Sequence, residues 1–386
     1  MRFSTKAVRA GQEPDETTGA VVVPIHLATT FQQEIAESCV QPTKGYEYSR
    51  TDNPTRKALE TSLASLEDGS AGICYSSGSA ATQALLEVLL EKDDHIILGE
   101  DVYGGTKRLL NFSSRKMGFH FDTVDTTSLS AVENALQENT RLVFLETPSN
   151  PLLKITDIAR ISQLCRDAGQ ILFAVDNTFA TPCLQQPLAL GADIVLHSTT
   201  KYLGGHSDVV GGAIVLSPDR KELEKEFRFY QNAAGAVPSP FDCWLTLRGI
   251  RTLAVRMAAH STNAAFLAPE LQNEPAIREV IYPGLKNHPQ HGLAQQQMTS
   301  FGGMISLDLG DKPTALNFLR NLDLFTLAES LGGVESLAEH PMSMTHASVG
   351  NDNLRKTGVG EGLIRLSVGI EDANDLLEDC RNALTR

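Results

Sequence analysis

The 386-residue sequence is poor in cysteine and has none of the close cysteine pairs that bind zinc. The six cysteines, at positions 39, 74, 165, 183, 243 and 380, include no C-x-x-C pair. So small a share in a long chain is typical of a reducing compartment. His288 and His291 have the spacing of one ligand pair, but no second pair accompanies them. We therefore predict free thiols, most of them buried, and no metal site.

The sequence also lacks long apolar runs and an excess of positive charge. No stretch approaches the ~20 apolar residues of a membrane helix, and Met1–Lys6 lacks the apolar core of a signal peptide. Acidic residues outnumber basic residues 47 to 33, which gives a formal net charge of -14. This charge argues against nucleic acids and anionic membranes as partners. We expect a cytoplasmic protein in which any anionic ligand has a local basic pocket.

The length predicts more than one domain. A chain of 386 residues exceeds the size at which a single hydrophobic core stops growing. Frequent proline and glycine interrupt residues 1–58, which predicts an arm that reaches a neighbouring subunit or lies on its own body. We place a large domain at 59–250 and a smaller α+β domain at 251–386.

Short apolar runs alternate with helical periodicity through the predicted large domain. This alternation favours a mostly parallel sheet with helices on both faces. The predicted strands lie at 71–75, 95–98, 119–124, 141–145, 170–175, 192–197 and 211–216. The predicted helices lie at 56–66, 80–90, 106–117, 129–136, 156–168 and 219–231. Further on we predict one long helix at 241–271, strands near 302–309, 325–329 and 364–368, and helices at 313–321 and 372–384.

Lys201 follows one of these buried strands and a cluster of hydroxyl groups. The apolar run Ile194–Leu196 is followed by Ser198 and Thr200, and open α/β sheets bind ligands at the carboxyl ends of their strands. A lysine partly withdrawn from water can form a Schiff base with a carbonyl group. A lysine just past a strand also occurs without any function, so the residues around Lys201 determine which interpretation is favoured.

Three other polar residues follow predicted strands at the same edge of the sheet. They are Tyr103, Asn150 and Asp176. Asp176 ends the apolar run Ile171–Val175, so its carboxylate is partly desolvated and favours a cationic partner such as a protonated pyridine nitrogen. Alternatively, Asp176 caps the turn at Asn177-Thr178.

A Gly/Ser turn at Gly78 and Ser79 joins a predicted strand to a helix. The free N–H groups and the positive dipole end of such a helix bind anions, although similar turns also serve merely as helix caps. A lysine for a Schiff base, an acid for a ring nitrogen, an aromatic residue and a phosphate turn are what pyridoxal phosphate requires. The residues therefore predict that cofactor.

The sequence resembles the pyridoxal-phosphate enzymes of cysteine and methionine metabolism over nearly its whole length. So many matching motifs in the same order are far more specific than any one of them. The matching segments are 46–50 with 53–55, 101–106, 146–151, 175–179, 198–202, 235–240, 329–333 and 365–369. The resemblance implies an α/β protein of fold-type I, the aspartate aminotransferase-like fold, with a mostly parallel central sheet and a smaller α+β C-terminal domain.

The resemblance also implies roles in cofactor binding. Lys201 would bind the cofactor covalently and move protons, Asp176 would pair with the ring nitrogen, Tyr103 would stack on the ring, and Asn150 would contact the ring hydroxyl. The residues implied to hold the phosphate are Gly78, Ser79, Ser198 and Thr200, with Tyr48 and Arg50 of a neighbouring subunit. Because Ser79 stands where the family usually has Met or Leu, only its backbone N–H is a firm expectation. Sharing of sites between subunits implies a homotetramer.

The substrate implied by the resemblance is an amino acid. Arg365 would bind its α-carboxylate, for which the guanidinium fork is well shaped. The other residues implied to contact the substrate are Asn150, Glu329, Ser330 and Arg108. By resemblance, enzymes that act at Cγ carry glutamate at position 329 and β-lyases carry an aromatic residue. The apolar neighbours Leu327, Ala328 and Leu331 argue against a surface role for Glu329.

The implied reaction is the α,γ-elimination of L-cystathionine to L-cysteine, 2-oxobutanoate and ammonia, with slow hydrogen sulfide release from cysteine. A γ-synthase reaction, which joins cysteine to an O-acyl-homoserine, uses the same residues and stays open. The β-lyase and methionine γ-lyase reactions are less favoured. Glycine pairs at 204–205 and 211–212 lack the G-x-G-x-x-G pattern of dinucleotide sites. A non-enzymatic scaffold would be expected to have lost residues such as Lys201.

Overall fold

We describe a computed structural model of the chain, in which residues 1–36, 39–169, 171–345 and 358–386 are described. Gln170, the first residue of one predicted strand, lies outside these ranges. Among the described residues, no helix combines the length and the apolar character that crossing a bilayer requires.

The N-terminal segment contains short elements that the sequence pattern did not predict. Helix α1 (Phe3–Arg9) buries Ala7, and a hairpin pairs β1 (Gln33–Ala36) with β2 (Cys39–Pro42). The following helix, α2 (Pro54–Leu66), begins where the Asn53 side chain accepts hydrogen bonds from two backbone N–H groups and proline occupies the first helical position.

The central sheet is mostly parallel, as predicted. Its strands are β3 (Ala71–Tyr75), β4 (His95–Gly99), β5 (His120–Val124), β6 (Thr140–Glu146), β7 (Leu172–Asp176), β8 (Ile194–His197) and β9 (Gly212–Leu216). Within the described ranges their order is β3-β9-β8-β7-β6-β4-β5, and β9 runs antiparallel to both of its neighbours. The sequence placed all seven strands to within about two residues at either end.

Helices cover both faces of this sheet, because successive strand side chains point to opposite faces. The apolar core on one face includes Leu98 and Phe144, and that on the other includes Ile97 and Val143. The helices are α3 (Gly78–Leu89), α4 (Gly104–Met117), α5 (Leu129–Ala135), α6 (Ile158–Asp167), α7 (Thr181–Leu184) and α8 (Leu223–Ala234), with a 3-10 turn at Pro218–Arg220. The sheet is therefore buried, and its carboxyl edge is left for a site.

The C-terminal part is built on a second sheet. Its helices are α9 (Pro240–Ile250), α10 (Leu253–Leu271), α11 (His291–Gln297), α12 (Lys312–Asn321) and α13 (Ala373–Thr385), with a 3-10 turn at Pro341–Ser343. Its strands are β10 (Glu279–Ile281), β11 (Met304–Asp308), β12 (Thr326–Leu327), β13 (Leu337–Glu339) and β14 (Leu363–Ser367), in the order β10-β11-β14-β13-β12. A separate apolar core, which includes Phe318 and Leu366, fills this part.

The prediction of one long helix over 241–271 was wrong, because two helices occupy this range. The carbonyl of Gly249 accepts from the Thr252 N–H, the Thr252 hydroxyl and the Arg256 guanidinium. The chain turns at Thr252, which has φ -107° and ψ 6°. The periodicity of the apolar residues continues across the turn and therefore did not reveal it. The domain boundary near 250 stays a prediction.

Five of the cysteines are free thiols, as predicted: Cys183 is half-buried, and Cys74, Cys165, Cys243 and Cys380 are buried. Cys39 is exposed.

Candidate active site

A cavity of about 880 Å³ opens at the carboxyl edge of the central sheet. It is bounded by that edge and by the turn that follows β12. The residues predicted from the sequence that line it are Gly78, Ser79, Tyr103, Asn150, Asp176, Ser198, Thr200, Lys201, Glu329, Ser330 and Arg365. The convergence of strand ends predicted from the sequence is thus confirmed.

Lys201 lies in this cavity a few residues beyond β8. Its Nζ donates a hydrogen bond to Ser330 Oγ at 2.7 Å. The pKa of Lys201 is lowered to about 8, mainly by burial and secondly by the nearby positive charge of Arg365. The neutral fraction of the amine near neutral pH is therefore far larger than that of an ordinary lysine, and nucleophilic attack and proton abstraction both require the neutral form.

Ser330 meets Lys201 because the backbone turns sharply there. Ser330 has φ +93°, a conformation that residues other than glycine rarely adopt. The turn is fixed on both sides: Arg365 donates to the Ser330 carbonyl at 2.7 Å, and the Gly332 N–H donates to Ser367 Oγ at 2.8 Å. Observed strain of this kind often marks a functional site.

Asp176 ends β7 and faces the cavity. Its Oδ1 accepts a hydrogen bond from the Thr178 N–H at 2.9 Å, so Asp176 caps the turn as well as lining the cavity. The capping interpretation made from the sequence is confirmed, and the pairing of Asp176 with a ring nitrogen stays a prediction. Burial raises the pKa of Asp176, and the hydrogen bonds from Thr178 oppose that rise.

Glu146 is a cavity residue for which the sequence analysis assigned no role. It ends β6 directly opposite Asp176 in the β6–β7 register, and its Oε2 accepts from the Tyr103 N–H at 2.9 Å. Burial raises the pKa of Glu146 well above its usual range, and the neighbouring Asp176 raises it further. Glu146 could have been predicted from the same sequence pattern as Asp176, namely an acidic residue at the end of an apolar strand.

Tyr103 stands at the start of α4 with its side chain 38% exposed. The ring lies so close to the helix that a Cβ at Gly105 would come 2.3 Å from Tyr103 Cε1. Burial raises the pKa of Tyr103, so the phenol stays protonated at neutral pH and can act as an acid.

The predicted anion turn leads from β3 into α3. Ser77 caps the helix by accepting from the Ala80 N–H at 3.0 Å, which leaves the turn at Gly78 facing the cavity. Gly212 of β9 lies against this turn, where a Cβ would come 2.2 Å from the Ser77 carbonyl oxygen. Thr200 Oγ1 accepts from the Gly211 N–H at 3.0 Å and donates to the Gly211 carbonyl at 3.2 Å.

Arg365 reaches the cavity from β14 and is only 2% exposed. Its guanidinium donates to Asn150 Oδ1 at 2.9 Å and lies 3.0 Å from Glu339 Oε1. The hydrogen bond to Asn150 connects the C-terminal sheet to the edge of the central sheet. A fixed, desolvated guanidinium is well suited to a carboxylate.

Three predicted site residues lie outside the lining of this cavity, and one lies at its exposed side. Tyr48 and Arg50 are exposed on the N-terminal segment, with the Arg50 guanidinium 5.7 Å from the centre of the Tyr48 ring. Arg108 is exposed on α4. Glu329 lines the cavity but is exposed, and Leu327 is 53% exposed, so the apolar neighbours do not bury Glu329 as the sequence suggested.

The lining residues fit pyridoxal phosphate. The cavity combines an amine of lowered pKa, Lys201, with a buried acid, Asp176, and an aromatic ring at a strand end, Tyr103. Gly78 lies close to Ser198, and a Cβ there would come 3.0 Å from the Ser198 Cβ. The glycine thus leaves open a concave turn of backbone N–H groups and hydroxyls that suits a phosphate.

Comparisons with known proteins agree with this chemistry. The sequence profile of the family described as Cys/Met metabolism PLP-dependent enzyme matches residues 4–385. A cystathionine gamma-lyase of Bacillus subtilis (strain 168) and a cystathionine beta-lyase of Lactococcus lactis subsp. cremoris (strain MG1363) are each 52% identical over 384 residues, covering 100% of this chain and 99% of the relative. A cystathionine gamma synthase of Xanthomonas oryzae pv. oryzae, solved in complex with cystathionine, is 44% identical with a TM-score of 0.95, covering 100% of this chain and 98% of that one.

Proposed function

The chain belongs to the Cys/Met metabolism PLP-dependent enzyme family, and we propose that within it the reaction is α,γ-elimination of L-cystathionine. The products are L-cysteine, 2-oxobutanoate and ammonia, and slow release of hydrogen sulfide from cysteine is a side reaction. The observation that carries the proposal is the position of Glu329, which lines the same cavity as Lys201. Resemblance associates glutamate at this position with chemistry at Cγ.

Arg365 binds the substrate's α-carboxylate in this proposal. The guanidinium is buried and held at three points, by Asn150, Glu339 and the Ser330 carbonyl. A held guanidinium loses little conformational freedom when it binds a carboxylate. Binding at Arg365 sets the substrate's Cα near Lys201, because both residues contact Ser330.

Lys201 moves the protons at Cα and Cβ. Pyridoxal phosphate, when bound, holds the substrate's nitrogen and withdraws electrons from its carbon chain. Because burial lowers the pKa of Lys201 to about 8, its amine can accept the proton from Cα and, once it has released that proton to water, a second proton from Cβ. Asp176 would pair with the ring nitrogen, and Tyr103 would stack on the ring.

The sulfur that leaves Cγ needs a proton. Tyr103 can supply it, since burial keeps the phenol protonated at neutral pH, and the Lys201 ammonium formed in the earlier steps can also supply it. One water molecule then hydrolyses the remaining imine to give 2-oxobutanoate and ammonia. The cavity is open enough to admit that water, since Tyr103 and Glu329 are both exposed.

We further propose that the active unit is a homotetramer with shared sites. Tyr48 and Arg50 do not line the cavity of their own subunit in the described structure, so a second copy would supply them to the phosphate. The same N-terminal segment exposes apolar side chains that an interface could cover, namely Val21, Leu27, Ile35 and Val40.

A γ-synthase reaction is the second candidate. It is supported by the similarity to the Xanthomonas oryzae pv. oryzae gamma synthase, which was solved in complex with cystathionine. This reaction uses the same carboxylate site and the same proton carrier and differs in whether cysteine leaves Cγ or attacks it.

The experiment that tests the proposal is a product assay on the purified holoenzyme. One arm contains L-cystathionine alone, and the other contains O-succinyl- or O-acetyl-homoserine with cysteine. Faster formation of cysteine and 2-oxobutanoate supports the γ-lyase reaction, whereas faster formation of cystathionine makes the chain a γ-synthase. Homocysteine and pyruvate as the main products from cystathionine would instead identify β-elimination.

A further inference from the structure

Glu339 lies behind the proposed carboxylate site and is a buried acid without an assigned role. It faces Arg365 directly across the antiparallel pair of β13 and β14, with Oε1 3.0 Å from the guanidinium. The two side chains are 1% and 2% exposed. Glu339 does not line the cavity, whereas Arg365 does.

This ion pair is incompletely satisfied within the part of the chain that the structure describes. Glu339 Oε1 accepts a second hydrogen bond, from Thr345 at 2.8 Å, while Oε2 is buried without a partner. The Nε of Arg365 is also buried without a partner. A buried, unpaired donor on a residue that lines a cavity keeps a hydrogen-bonding capacity that a bound acceptor could satisfy.

We propose that Glu339 is a positioning residue, the resident counter-ion of Arg365, and that it takes up a proton when a substrate carboxylate binds the guanidinium. The proposal rests on the function proposed above, in which Arg365 binds the α-carboxylate. In the free enzyme the Glu339 carboxylate neutralises the buried guanidinium and fixes its orientation. When a second carboxylate arrives, two negative charges share one positive charge.

The protonation of one carboxylate relieves this excess charge. Glu339 is the one protonated, because its buried Oε2 has no partner whereas the substrate carboxylate gains the guanidinium. The proton comes from solvent, so the binding step takes up one ligand anion and up to one proton. Burial already raises the pKa of Glu339 although Arg365 opposes that rise, and a nearby anion raises it further.

Other charged groups face Glu339 and contribute to this balance. Lys201 favours the ionised carboxylate, and Glu329 disfavours it. The phenol of Tyr103 is also within electrostatic reach. His340 points its ring nitrogens elsewhere, to Ser343 and to the carbonyl of Glu361. The number of protons taken up is therefore greatest at pH values between the pKa of Glu339 in the free enzyme and its higher pKa in the complex, and it declines at lower and at higher pH.

The test measures proton uptake when the holoenzyme binds butanoate, which carries a carboxylate but no amine to react with the cofactor. Calorimetric titrations in two buffers of different ionisation enthalpy give the number of protons taken up per butanoate bound. Butanamide, which lacks the carboxylate, is the ligand control. We expect a measurable fraction of a proton near neutral pH for butanoate and none for butanamide.

Glu339→Gln keeps an acceptor for Arg365 and Thr345 but removes the charge. It should bind butanoate about tenfold more tightly, because the ligand becomes the sole counter-ion, and should take up no proton. A merely structural role would instead weaken binding and leave the proton count unchanged. The matched control is Glu270→Gln, which removes the carboxylate from an exposed pair with Arg381, also 3.0 Å apart. It should behave as the wild type.

Arg365→Gln separates this inference from the proposed function. Loss of butanoate binding in Arg365→Gln, together with zero proton uptake by the wild type, would overturn the role of Glu339 and leave that of Arg365 intact. Binding that is absent in the wild type or unchanged in Arg365→Gln would overturn both. The inference is supported if the wild type takes up protons with butanoate and Glu339→Gln binds butanoate more tightly without taking up protons.

Discussion

Glu146 and Asp176 face each other across the parallel strands β6 and β7, at the edge where the cavity opens. Each carboxylate is held by one backbone N–H, that of Tyr103 for Glu146 and that of Thr178 for Asp176. Burial raises the pKa of both groups. Two buried neighbouring carboxylates do not both ionise readily, so the pair favours one charge and one proton.

The first prediction assigns the charge to Asp176 and the proton to Glu146. Glu146→Gln mimics a protonated acid and keeps an acceptor for the Tyr103 N–H, so kcat/KM should change by no more than about threefold. Asp176→Asn removes the charge that is proposed to pair with the ring nitrogen and should lower kcat/KM by about 10²-fold or more. Steady-state kinetics and the cofactor dissociation constant measure both effects. An equal loss in the two variants would contradict the assignment.

The lowered pKa of Lys201 predicts how cofactor attachment depends on pH. Only the neutral amine attacks a carbonyl, and burial lowers the pKa of Lys201 to about 8 from its usual value of 10.5. The rate at which pyridoxal phosphate attaches to the apoenzyme should therefore rise with pH and level off above about pH 8. Stopped-flow absorbance measures this rate, and Nα-acetyl-lysine in solution is the control. A rate that keeps rising towards the pKa of ordinary lysine would show that Lys201 is not desolvated.

Glu329 offers a test of reaction specificity. By resemblance, β-lyases carry an aromatic residue at this position, so Glu329→Tyr should lower the formation of 2-oxobutanoate from cystathionine and raise the share of pyruvate. The ratio of the two oxo acids, measured by chromatography, should fall by about tenfold. The matched control is Glu335→Gln, which also removes a carboxylate from the cavity lining and should leave the ratio unchanged. An unaltered ratio in Glu329→Tyr would remove Glu329 from the account of specificity.

The strand ends of the site could be predicted from the sequence because their signals are local. Runs such as Leu142–Leu145 and Ile194–Leu196 are buried on both faces, and a continuous aliphatic run bounded by polar residues indicates such a strand. The polar residue after each run then falls at one edge of a parallel sheet. Lys201 and Asp176 were found in this way.

The contacts of Arg365 with Glu339 and Asn150 could not be predicted, because they depend on tertiary structure. Glu339 lies on a strand of only three residues, and the register that sets it opposite Arg365 belongs to the pair of strands. The left-handed backbone of Ser330 likewise has no local signal, because serine rarely adopts it. The part of the site that is proposed to bind substrate was therefore accessible only through resemblance.

The last prediction concerns Gly212, which links the sheet to the anion turn. A Cβ at Gly212 would come 2.2 Å from the Ser77 carbonyl oxygen and 2.7 Å from the Gly78 nitrogen. Both contacts are with backbone, which cannot move aside as a flexible side chain can. Gly212→Ala should therefore lower the free energy of unfolding by about 1–3 kcal/mol and displace the turn that faces the phosphate.

The cofactor affinity separates this effect from general destabilisation. Displacement of the Gly78 N–H should raise the pyridoxal phosphate dissociation constant of Gly212→Ala by about tenfold, since a hydrogen bond to a charged group contributes about 1.5–3 kcal/mol. The matched control is Gly292→Ala on α11, where no atom beyond the adjacent residues and the helix's own nearby backbone lies within 4 Å of the added methyl group. That variant should keep its affinity and gain about 0.5–1 kcal/mol of stability, because alanine favours a helix. Urea unfolding and cofactor titration give both quantities, and an unchanged dissociation constant in Gly212→Ala would mean that the turn does not hold the phosphate.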